Sequence, residues 1–167
     1  MKGISKKIAA GKKIQLKADI YPKNATIQTL KWESSNTKYA TVDQNGKVSV
    51  KKAGKNKSVT ITAISTDGSN IKAVYKIKIM PKAVKKIKLS AAKSVKAGKK
   101  VTIKATVNPS KNVNKKLKWE CNKPQYATVN SKGVVKTKKA GKGKTVKITA
   151  RATDGSNKQK SVTIVIK

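Results

Sequence analysis

The chain is an internal duplication, and this feature constrains its fold more than any other. Shifting the 167-residue sequence by 87 positions aligns residues 11–80 with residues 98–167 without a gap, and 33 of the 70 aligned positions are identical. A repeat of this length indicates that one structural unit is built twice. We therefore predict two tandem modules, residues 1–80 and 84–167, joined by a short linker at residues 81–83.

Apolar and polar residues alternate within each copy. In copy one the alternation is clear at Ile14, Leu16, Ala18 and Ile20, which we expect to form one strand. A period of two is typical of strands with one face in a core and the other in water. Short turn sequences such as "DQNGK", "NSKG" and "DGSN" separate these runs, and no segment carries a helical stripe. We predict an all-β fold with about seven short strands per copy, closed into a β-sandwich.

Several repeated blocks together resemble a known family. Copy one contains "KWES", "ATVDQNGKVSV", "KKAGK" and "VTITA" in that order, and copy two contains "LKWECNKPQYATVNSKGVV" and "VKITARATDGSNKQKSVTIVI". This order is similar to that of the bacterial immunoglobulin-like domain, group 2. The resemblance implies two tandem Ig-like β-sandwiches from a modular surface protein, in which such domains serve as stalks, spacers and adhesion modules. It also implies an extracellular location, at the bacterial cell surface or in the cell wall.

The two copies differ in their opening strand. Copy two begins with "VKKIKLS", residues 84–90, whereas most of the equivalent positions in copy one would precede Met1. We therefore expect the first module to begin part-way through its first strand, in a fragment of a larger protein. The start "MKGISKKIAAGKK" lacks the apolar centre of a signal peptide, so we expect the export signal in the parent protein. No apolar run approaches the length of a membrane span.

Charge is the second constraint on function. The chain has 42 basic and 6 acidic residues, a formal charge of +36, and every basic residue except Arg151 is lysine. Lysine supplies charge without the bidentate fork with which arginine reads bases and phosphates. The six aromatic residues mostly occupy repeated, core-like positions rather than a stacking surface. The composition therefore disfavours sequence-specific nucleic-acid recognition and leaves non-specific attraction to polyanions.

Lysines crowd two equivalent turns as well as the solvent face of the strands. Residues 1–80 hold 17 basic and 4 acidic residues, and residues 81–167 hold 25 and 2, so an anionic partner should prefer the second half. Two interpretations stay open: a solvated surface that keeps the protein soluble, or attachment to an anionic wall polymer or an acidic glycan. The candidate polyanion contacts are Lys51, Lys52, Lys55 and Lys57 in copy one, and Lys138, Lys139, Lys142 and Lys144 in copy two.

The segment Gly143-Lys144-Thr145 looks like the end of a phosphate-binding loop, but its surroundings do not fit one. A Walker loop requires a glycine five positions earlier, where Lys138 stands, and a helix afterwards, where the alternating "TVKITA" predicts a strand. Copy one has Asn56 in place of the glycine. We interpret the segment as a turn that enters a strand.

The repeated Trp-Glu pairs have a structural interpretation. Trp32 and Trp119 are predicted to anchor the sandwich core, with a sugar-stacking surface as the alternative. Glu33 and Glu120 should face the other side and pair with surface lysines. The alternative role of these glutamates is to assist a lysine–asparagine isopeptide crosslink, which is known from other surface Ig-like modules.

Residues suited to catalysis or metal binding are scarce. There is no histidine, and Cys121 is the single cysteine, so it lacks the usual base partner of a catalytic thiol. Asp67 and Asp154 each offer one carboxylate, too few for a calcium loop, so we interpret the "DGSN" segments as tight turns. We predict that the protein is not an enzyme and uses no cofactor or metal.

The sequence as a whole predicts a non-catalytic pair of modules from a bacterial surface or adhesion protein. We expect a monomeric stalk or spacer with electrostatic attachment to an anionic wall polymer or acidic glycan. A receptor on a host or on another cell is a further candidate partner. The alternative function is that of a non-specific nucleic-acid-binding protein.

Overall fold

The computed structural model describes all 167 residues. Nearly all of its regular structure is strand, and the helical segments are two short 3-10 turns. The chain divides into two compact units, which are described separately. Unit 1 comprises Met1–Ala83, Asn112–Asn114 and Thr153–Ser156, and unit 2 comprises Val84–Lys111, Lys115–Ala152 and Asn157–Lys167.

Unit 1 contains eight strands in two four-stranded sheets. The strands are β1 (Lys2–Gly3), β2 (Lys7–Ala9), β3 (Lys13–Lys17), β4 (Leu30–Ser34), β5 (Ala40–Val42), β6 (Lys47–Val50), β7 (Ser58–Ser65) and β8 (Lys72–Met80). One sheet has the order β1-β3-β6-β5 and the other β2-β8-β7-β4. The pairs are antiparallel except for β2 and β8, which run parallel.

Unit 2 contains nine strands. They are β9 (Lys86–Ser90), β10 (Ser94–Val95), β11 (Lys100–Thr102), β12 (Lys104–Asn108), β13 (Leu117–Cys121), β14 (Ala127–Val129), β15 (Val134–Thr137), β16 (Thr145–Ala152) and β17 (Gln159–Ile166). The sheet orders are β10-β17-β16-β13, β11-β15-β14 and β12-β9. Strands β11 and β12 together correspond to the single strand β3 of unit 1 and its extension.

The two units share register as well as sequence. Trp32 pairs with Ala63 across β4 and β7, and 87 positions later Trp119 pairs with Ala150 across β13 and β16. Alternate side chains of the long central strands are buried, as the period of two predicts. The shared buried positions include Val59, Ile61, Ile77 and Ile79 in unit 1 and Val146, Ile148, Ile164 and Ile166 in unit 2. The all-β Ig-like sandwich predicted from the sequence is thereby confirmed.

Both tryptophans are half-buried and pack against the apolar core of their own unit. The ring of Trp32 lies on Gly46, where an added Cβ would stand 2.7 Å from Trp32 Cζ2, and Gly46 has φ of +75°. Gly133 meets Trp119 in the same way, at 2.8 Å with φ of +78°. A side chain at either glycine would displace the ring, so the tryptophan and its glycine form one packing unit in each copy.

The sequence prediction fails at one stretch of unit 1. The alternation from Ile14 to Ile20 predicted a single strand, but β3 ends at Lys17 and residues 18–21 belong to no strand. The counterpart in unit 2 does continue, as β12, because β9 lies beside it and supplies hydrogen-bonding partners. The opening strand of copy two begins at Lys86 rather than Val84, and short edge strands raise the strand totals above seven.

Candidate polyanion-binding turns

Each unit carries one lysine-rich turn at the same place in the fold. Lysine turn 1, residues 51–57, joins β6 to β7, and lysine turn 2, residues 138–144, joins β15 to β16. Each contains a single turn of 3-10 helix, Lys52–Gly54 or Lys139–Gly141. The predicted turn followed by a strand is confirmed, and a helix that could hold phosphate at its N-terminus is absent.

The glycine of each 3-10 turn is buried against the core. A Cβ added to Gly54 would stand 2.5 Å from Ile79 Cδ1 and 3.0 Å from Tyr39 Cβ. A Cβ added to Gly141 would stand 2.8 Å from Ile166 Cδ1. The turn therefore lies directly on the core, and the lysines beside the glycine have only the solvent side available to them.

Backbone hydrogen bonds hold each turn to the last strand of its unit. In unit 1 the Asn56 amide donates to the Ile79 carbonyl at 2.9 Å, and the Ile79 amide donates to the Lys57 carbonyl at 2.8 Å. In unit 2 the Gly143 amide donates to the Ile166 carbonyl at 2.8 Å, and the Ile166 amide returns a bond to Lys144 at 2.9 Å. The lysine side chains therefore extend from a fixed backbone.

One position in each turn has a left-handed backbone conformation. Asn56 has φ of 63° and the equivalent Gly143 has φ of 75°. Glycine and asparagine adopt this conformation most readily, which explains why copy one has asparagine and copy two has glycine at this position. A Cβ at Gly143 would meet nothing within 4 Å, so the constraint is conformational and not steric crowding.

The lysines of the two turns have no acidic partners. All eight are exposed, and the ion pairs of the protein lie elsewhere. These pairs include Lys2–Asp19, Lys23–Asp19, Lys31–Glu33 and Lys118–Glu120. Two ammonium groups about 6 Å apart in water repel by roughly 0.7 kcal/mol before salt screening. Each turn is therefore a small uncompensated cluster of positive charge that a polyanion would neutralise.

The glutamates beside the tryptophans form surface ion pairs, as predicted. Lys31 Nζ lies 2.8 Å from Glu33 Oε1, and Lys118 Nζ lies 2.8 Å from Glu120 Oε1. The hydrogen bond and charge of the neighbouring lysine lower the pKa of each glutamate. No lysine is buried anywhere in the chain, so the core holds none that could form the isopeptide crosslink with an asparagine.

The "DGSN" segments form tight turns. The Ser69 amide and hydroxyl donate to Asp67 Oδ1 at 3.0 and 2.6 Å, and these bonds lower the pKa of Asp67. The Ser156 amide donates to Asp154 Oδ1 at 2.9 Å in the second copy. The carboxylates are thus used to close the turns, and no group of three or more acidic, histidine or cysteine side chains is placed to hold a metal ion.

The sequence missed one feature, an apolar groove in unit 1 beside residues 18–21. In the sequence, this groove was indicated only by the difference in length between the opening strands of the two copies.

Cys121 lies half-buried on β13, packed against the core of unit 2. No helix in the structure is both long enough and apolar enough to cross a lipid bilayer.

Comparison with known families settles the assignment. The family model described as "Bacterial Ig-like domain (group 2)" matches residues 4–75 and again residues 83–164. The chain belongs to this family. Each copy of this bacterial Ig-like domain is therefore a non-catalytic structural module, and the resemblance read from the repeated blocks is confirmed.

The relatives of this Ig-like pair are longer proteins. An uncharacterized protein of Clostridium acetobutylicum is 32% identical over 90% of this chain and 15% of its own length. An Ig-like virion protein of Serratia phage KSP90 is 34% identical over 87% of this chain and 56% of its own length. A 3-O-alpha-D-galactosyl-alpha-L-arabinofuranosidase of Bifidobacterium longum is 33% identical over 65% of this chain and 9% of its own length. The chain thus spans between 9% and 56% of the length of these relatives. Membership of the bacterial Ig-like family indicates an extracellular or surface location.

Among solved structures, a mutant of intimin from EHEC O157:H7 matches with 30% identity. The match covers 52% of this chain and 40% of that one, with a TM-score of 0.33.

Proposed function

We propose that the two modules, residues 1–80 and 84–167, form a non-catalytic stalk or spacer of a bacterial cell-surface or adhesion protein, held to an anionic wall polymer or acidic glycan by their lysines. The main observation that supports this proposal is the structure of the two lysine turns. They present eight exposed lysines without acidic partners, on a backbone fixed by hydrogen bonds to the last strand of each unit. A fixed cluster of cations is suited to a flexible anionic polymer, which can adapt its own spacing to the protein.

The charge chemistry favours a polymer over a small ligand. Binding driven by counterion release needs many cations and no particular geometry, and lysine provides a compact charge without the arginine fork. The net charge of +36 far exceeds the magnitude of about 2–8 that keeps a small domain soluble. Solubility alone therefore does not account for the surface.

The absence of catalysis is part of the proposal. The chain has no histidine, and four of its six acidic residues are Asp19, Glu33, Asp67 and Glu120. Asp19 and the two glutamates lie in surface ion pairs, and Asp67 closes a turn. A general acid or base needs a carboxyl group in a cleft with a raised pKa, whereas hydrogen bonds from Lys31, Ser69 and Lys118 lower the pKa of Glu33, Asp67 and Glu120 respectively. The glycosidase relative matches over only 9% of its length, as expected for a module carried beside a catalytic domain.

The decisive experiment is salt-dependent retention of the full chain on immobilised teichoic acid and on heparin. We expect strong retention at about 50 mM salt and elution before about 500 mM, since each lysine–anion contact releases on the order of one counterion. No retention at low salt, or retention that does not fall as salt rises, would contradict the proposal.

Two variants with equal charge loss test where the polymer binds. Replacing the four lysines of lysine turn 2 by glutamine should move elution to lower salt more than the same replacement of four exposed strand lysines. The turn lysines are Lys138, Lys139, Lys142 and Lys144, and the strand lysines are Lys100, Lys104, Lys136 and Lys147. Equal shifts in the eluting salt concentration would show that polymer binding depends on total charge and that the turns have no special role.

The nucleic-acid alternative is tested with the same chain. Single-stranded nucleic acids are bound through stacking on exposed aromatic rings, and here the tryptophans are half-buried against the cores. We expect teichoic acid to displace DNA from the protein at equal phosphate concentration. Stronger retention of DNA at every salt concentration would favour the nucleic-acid function.

A further inference from the structure

Unit 2 has a groove beside Trp119, here called the Trp119 groove. Every lining residue belongs to unit 2, and the apolar wall is formed by Ile103, Ala105, Leu117 and Trp119. The volume is about 280 Å³, close to the lower limit of the range of about 300–1,000 Å³ that is usual for ligand pockets. The groove therefore suits one residue of a chain molecule better than a large compact ligand.

The core holds the indole of Trp119 in a fixed orientation. The ring packs against the core of unit 2, and its Cζ2 atom lies 2.8 Å from the position that a Cβ on Gly133 would take. Trp119 is only half-buried and lines the groove, so part of the ring remains accessible there. An accessible ring that is already fixed can stack on the apolar C–H face of a pyranose sugar without losing side-chain freedom.

Three lysines line the same groove. Lys115 and Lys116 precede β13, and Lys132 lies in the turn between β14 and β15. All three are exposed, and no acidic residue lines the groove. Glu120 lies on the other face of β13, in its ion pair with Lys118. The groove thus combines an aromatic wall with positive charge, which favours a sugar that carries an anionic group.

The duplication shows that these lysines are specific to copy two. The apolar wall recurs 87 positions earlier in copy one, as Leu16, Ala18, Leu30 and Trp32. The lysines do not recur, and neutral polar residues stand at the three equivalent positions, namely Gln28, Thr29 and Asn45. The tryptophan therefore packs in the core with or without lysines around it, and packing does not account for the lysines of copy two.

Hydrogen bonds fix the turn that carries Lys132. The amides of Lys132 and Val134 both donate to Asn130 Oδ1 at 3.0 Å. The Ile103 amide donates to the Gly133 carbonyl at 2.9 Å, which joins the turn to the apolar wall of the groove. The backbone beside the groove is therefore ordered before a ligand binds, and less conformational entropy is lost on binding.

We propose that the Trp119 groove binds a carboxylate-bearing pyranose residue of an acidic glycan chain. The sugar ring stacks on the accessible part of Trp119, and its carboxylate accepts hydrogen bonds from the lysines that line the groove. The Ser131 hydroxyl also lines the groove and is a partner for a sugar hydroxyl. This site is separate from the lysine turns and goes beyond their proposed role, because it distinguishes an acidic sugar from a phosphate chain that has no ring to stack.

The test uses the full chain and a hexasaccharide of galacturonic acid, at about 150 mM salt so that distant surface charges are screened. Two-dimensional NMR follows the indole N–H signals of the two tryptophans, Trp32 and Trp119. We expect a saturable shift of the Trp119 signal and none of the Trp32 signal, because only the Trp119 groove carries the lysines. No saturable shift at Trp119, or an equal shift at Trp32, would overturn the proposal.

Two control ligands separate the sugar ring from the charge. The methyl ester of the hexasaccharide keeps the rings and loses the carboxylate charges, whereas a linear polyphosphate of the same length keeps the charges and has no ring. We expect the ester to bind at least about tenfold more weakly, and the polyphosphate to leave the Trp119 signal unshifted. A polyphosphate that shifts Trp119 as much as the hexasaccharide would mean that the groove binds any polyanion, and the proposal would be wrong.

Two double variants with equal charge loss locate the site. Lys115→Gln with Lys132→Gln removes two groove lysines and should weaken hexasaccharide binding by about tenfold, because charge-assisted hydrogen bonds are lost. Lys86→Gln with Lys88→Gln, on the exposed face of β9, should weaken it by less than about twofold. All four lysines are exposed, so both variants should fold, which circular dichroism checks. Equal weakening would place the hexasaccharide outside the groove and overturn the proposal.

Retention of the same variants on teichoic acid reports the lysine turns separately, because neither pair of substitutions lies in a turn. Normal retention without a Trp119 shift would overturn the groove proposal alone. A Trp119 shift without retention would support the groove and contradict only the role proposed for the turns.

Discussion

Four equivalent positions behave differently in the two units. Residues 105–108 of unit 2 belong to strand β12 beside β9, whereas the equivalent residues 18–21 of unit 1 belong to no strand. The local sequences are alike in apolar pattern, with Ala18 and Ile20 matching Ala105 and Val107. The difference therefore arises from the neighbour and not from the segment itself.

This comparison teaches that alternation permits a strand but does not create one. A strand exists only where its amides and carbonyls find partners, and those partners come from a distant part of the chain. The interior strands β7 and β16 each pair with a strand on both sides. Every residue pair that β7 makes with β4 and β8 recurs 87 positions later in the pairs of β16 with β13 and β17. The edges are where two otherwise equivalent units diverge.

The largest effects are expected in the shared cores. Ile61 and Ile148 occupy equivalent positions and are 0% exposed. Replacing either by alanine leaves a cavity and should lower the free energy of unfolding of its own unit by about 2–5 kcal/mol. Urea denaturation followed by hydrogen-exchange mass spectrometry measures each unit in the full chain. A loss confined to one of the two variants would show that the cores are not equivalent.

A second change should make unit 2 resemble unit 1. Ile87→Ala removes the buried anchor of β9 and should cost about 2 kcal/mol, the lower end of the usual range because β9 is an edge strand. The amides of residues 104–108 should then lose exchange protection while β16 retains it. Lys88→Ala, on the exposed face of the same strand, is the control and should change little. Persisting protection of residues 104–108 would mean that β9 does not hold this strand.

The left-handed position in the lysine turns allows a smaller test. Gly143→Asn copies the residue found in unit 1 and should change the unfolding free energy by less than about 0.5 kcal/mol. Gly143→Val should cost about 1–2 kcal/mol, because a β-branched residue resists positive φ even though space is available. Thermal denaturation measures both variants. A valine variant as stable as the asparagine variant would show that the turn readjusts its backbone.

The smallest effect concerns the matched surface ion pairs. Lys31→Met should raise the pKa of Glu33 towards its ordinary value, and Lys118→Met should do the same for Glu120. Because the folded pKa of each glutamate is lowered, the pair stabilises above the ordinary glutamate pKa and this contribution is lost as pH falls through the lowered one. Carboxyl carbon NMR shifts against pH give the values. A rise in the glutamate pKa in only one unit would show that Glu33 and Glu120 differ in their surroundings.

Much of the candidate site was readable from the sequence. The eight turn lysines were located by their repeated "KKAGK" context, and the structure places all of them on exposed turns. The hydrogen bonds that fix those turns were not readable, because they join Asn56 and Gly143 to Ile79 and Ile166, more than twenty residues away. The half-buried tryptophans were expected as core anchors, but the glycines beneath their rings were interpreted only as turn residues.

The sequence by itself determined the duplication, the strands, their inward and outward faces, and the lysine coat. These features follow from periodicity and charge, which are local and repeat every 87 residues. Only the tertiary structure decided which strands have partners, for example that residues 104–108 pair with β9 whereas residues 18–21 belong to no strand. Strand pairing is a long-range interaction, so two segments that begin with the same alternation can differ in whether they form a strand.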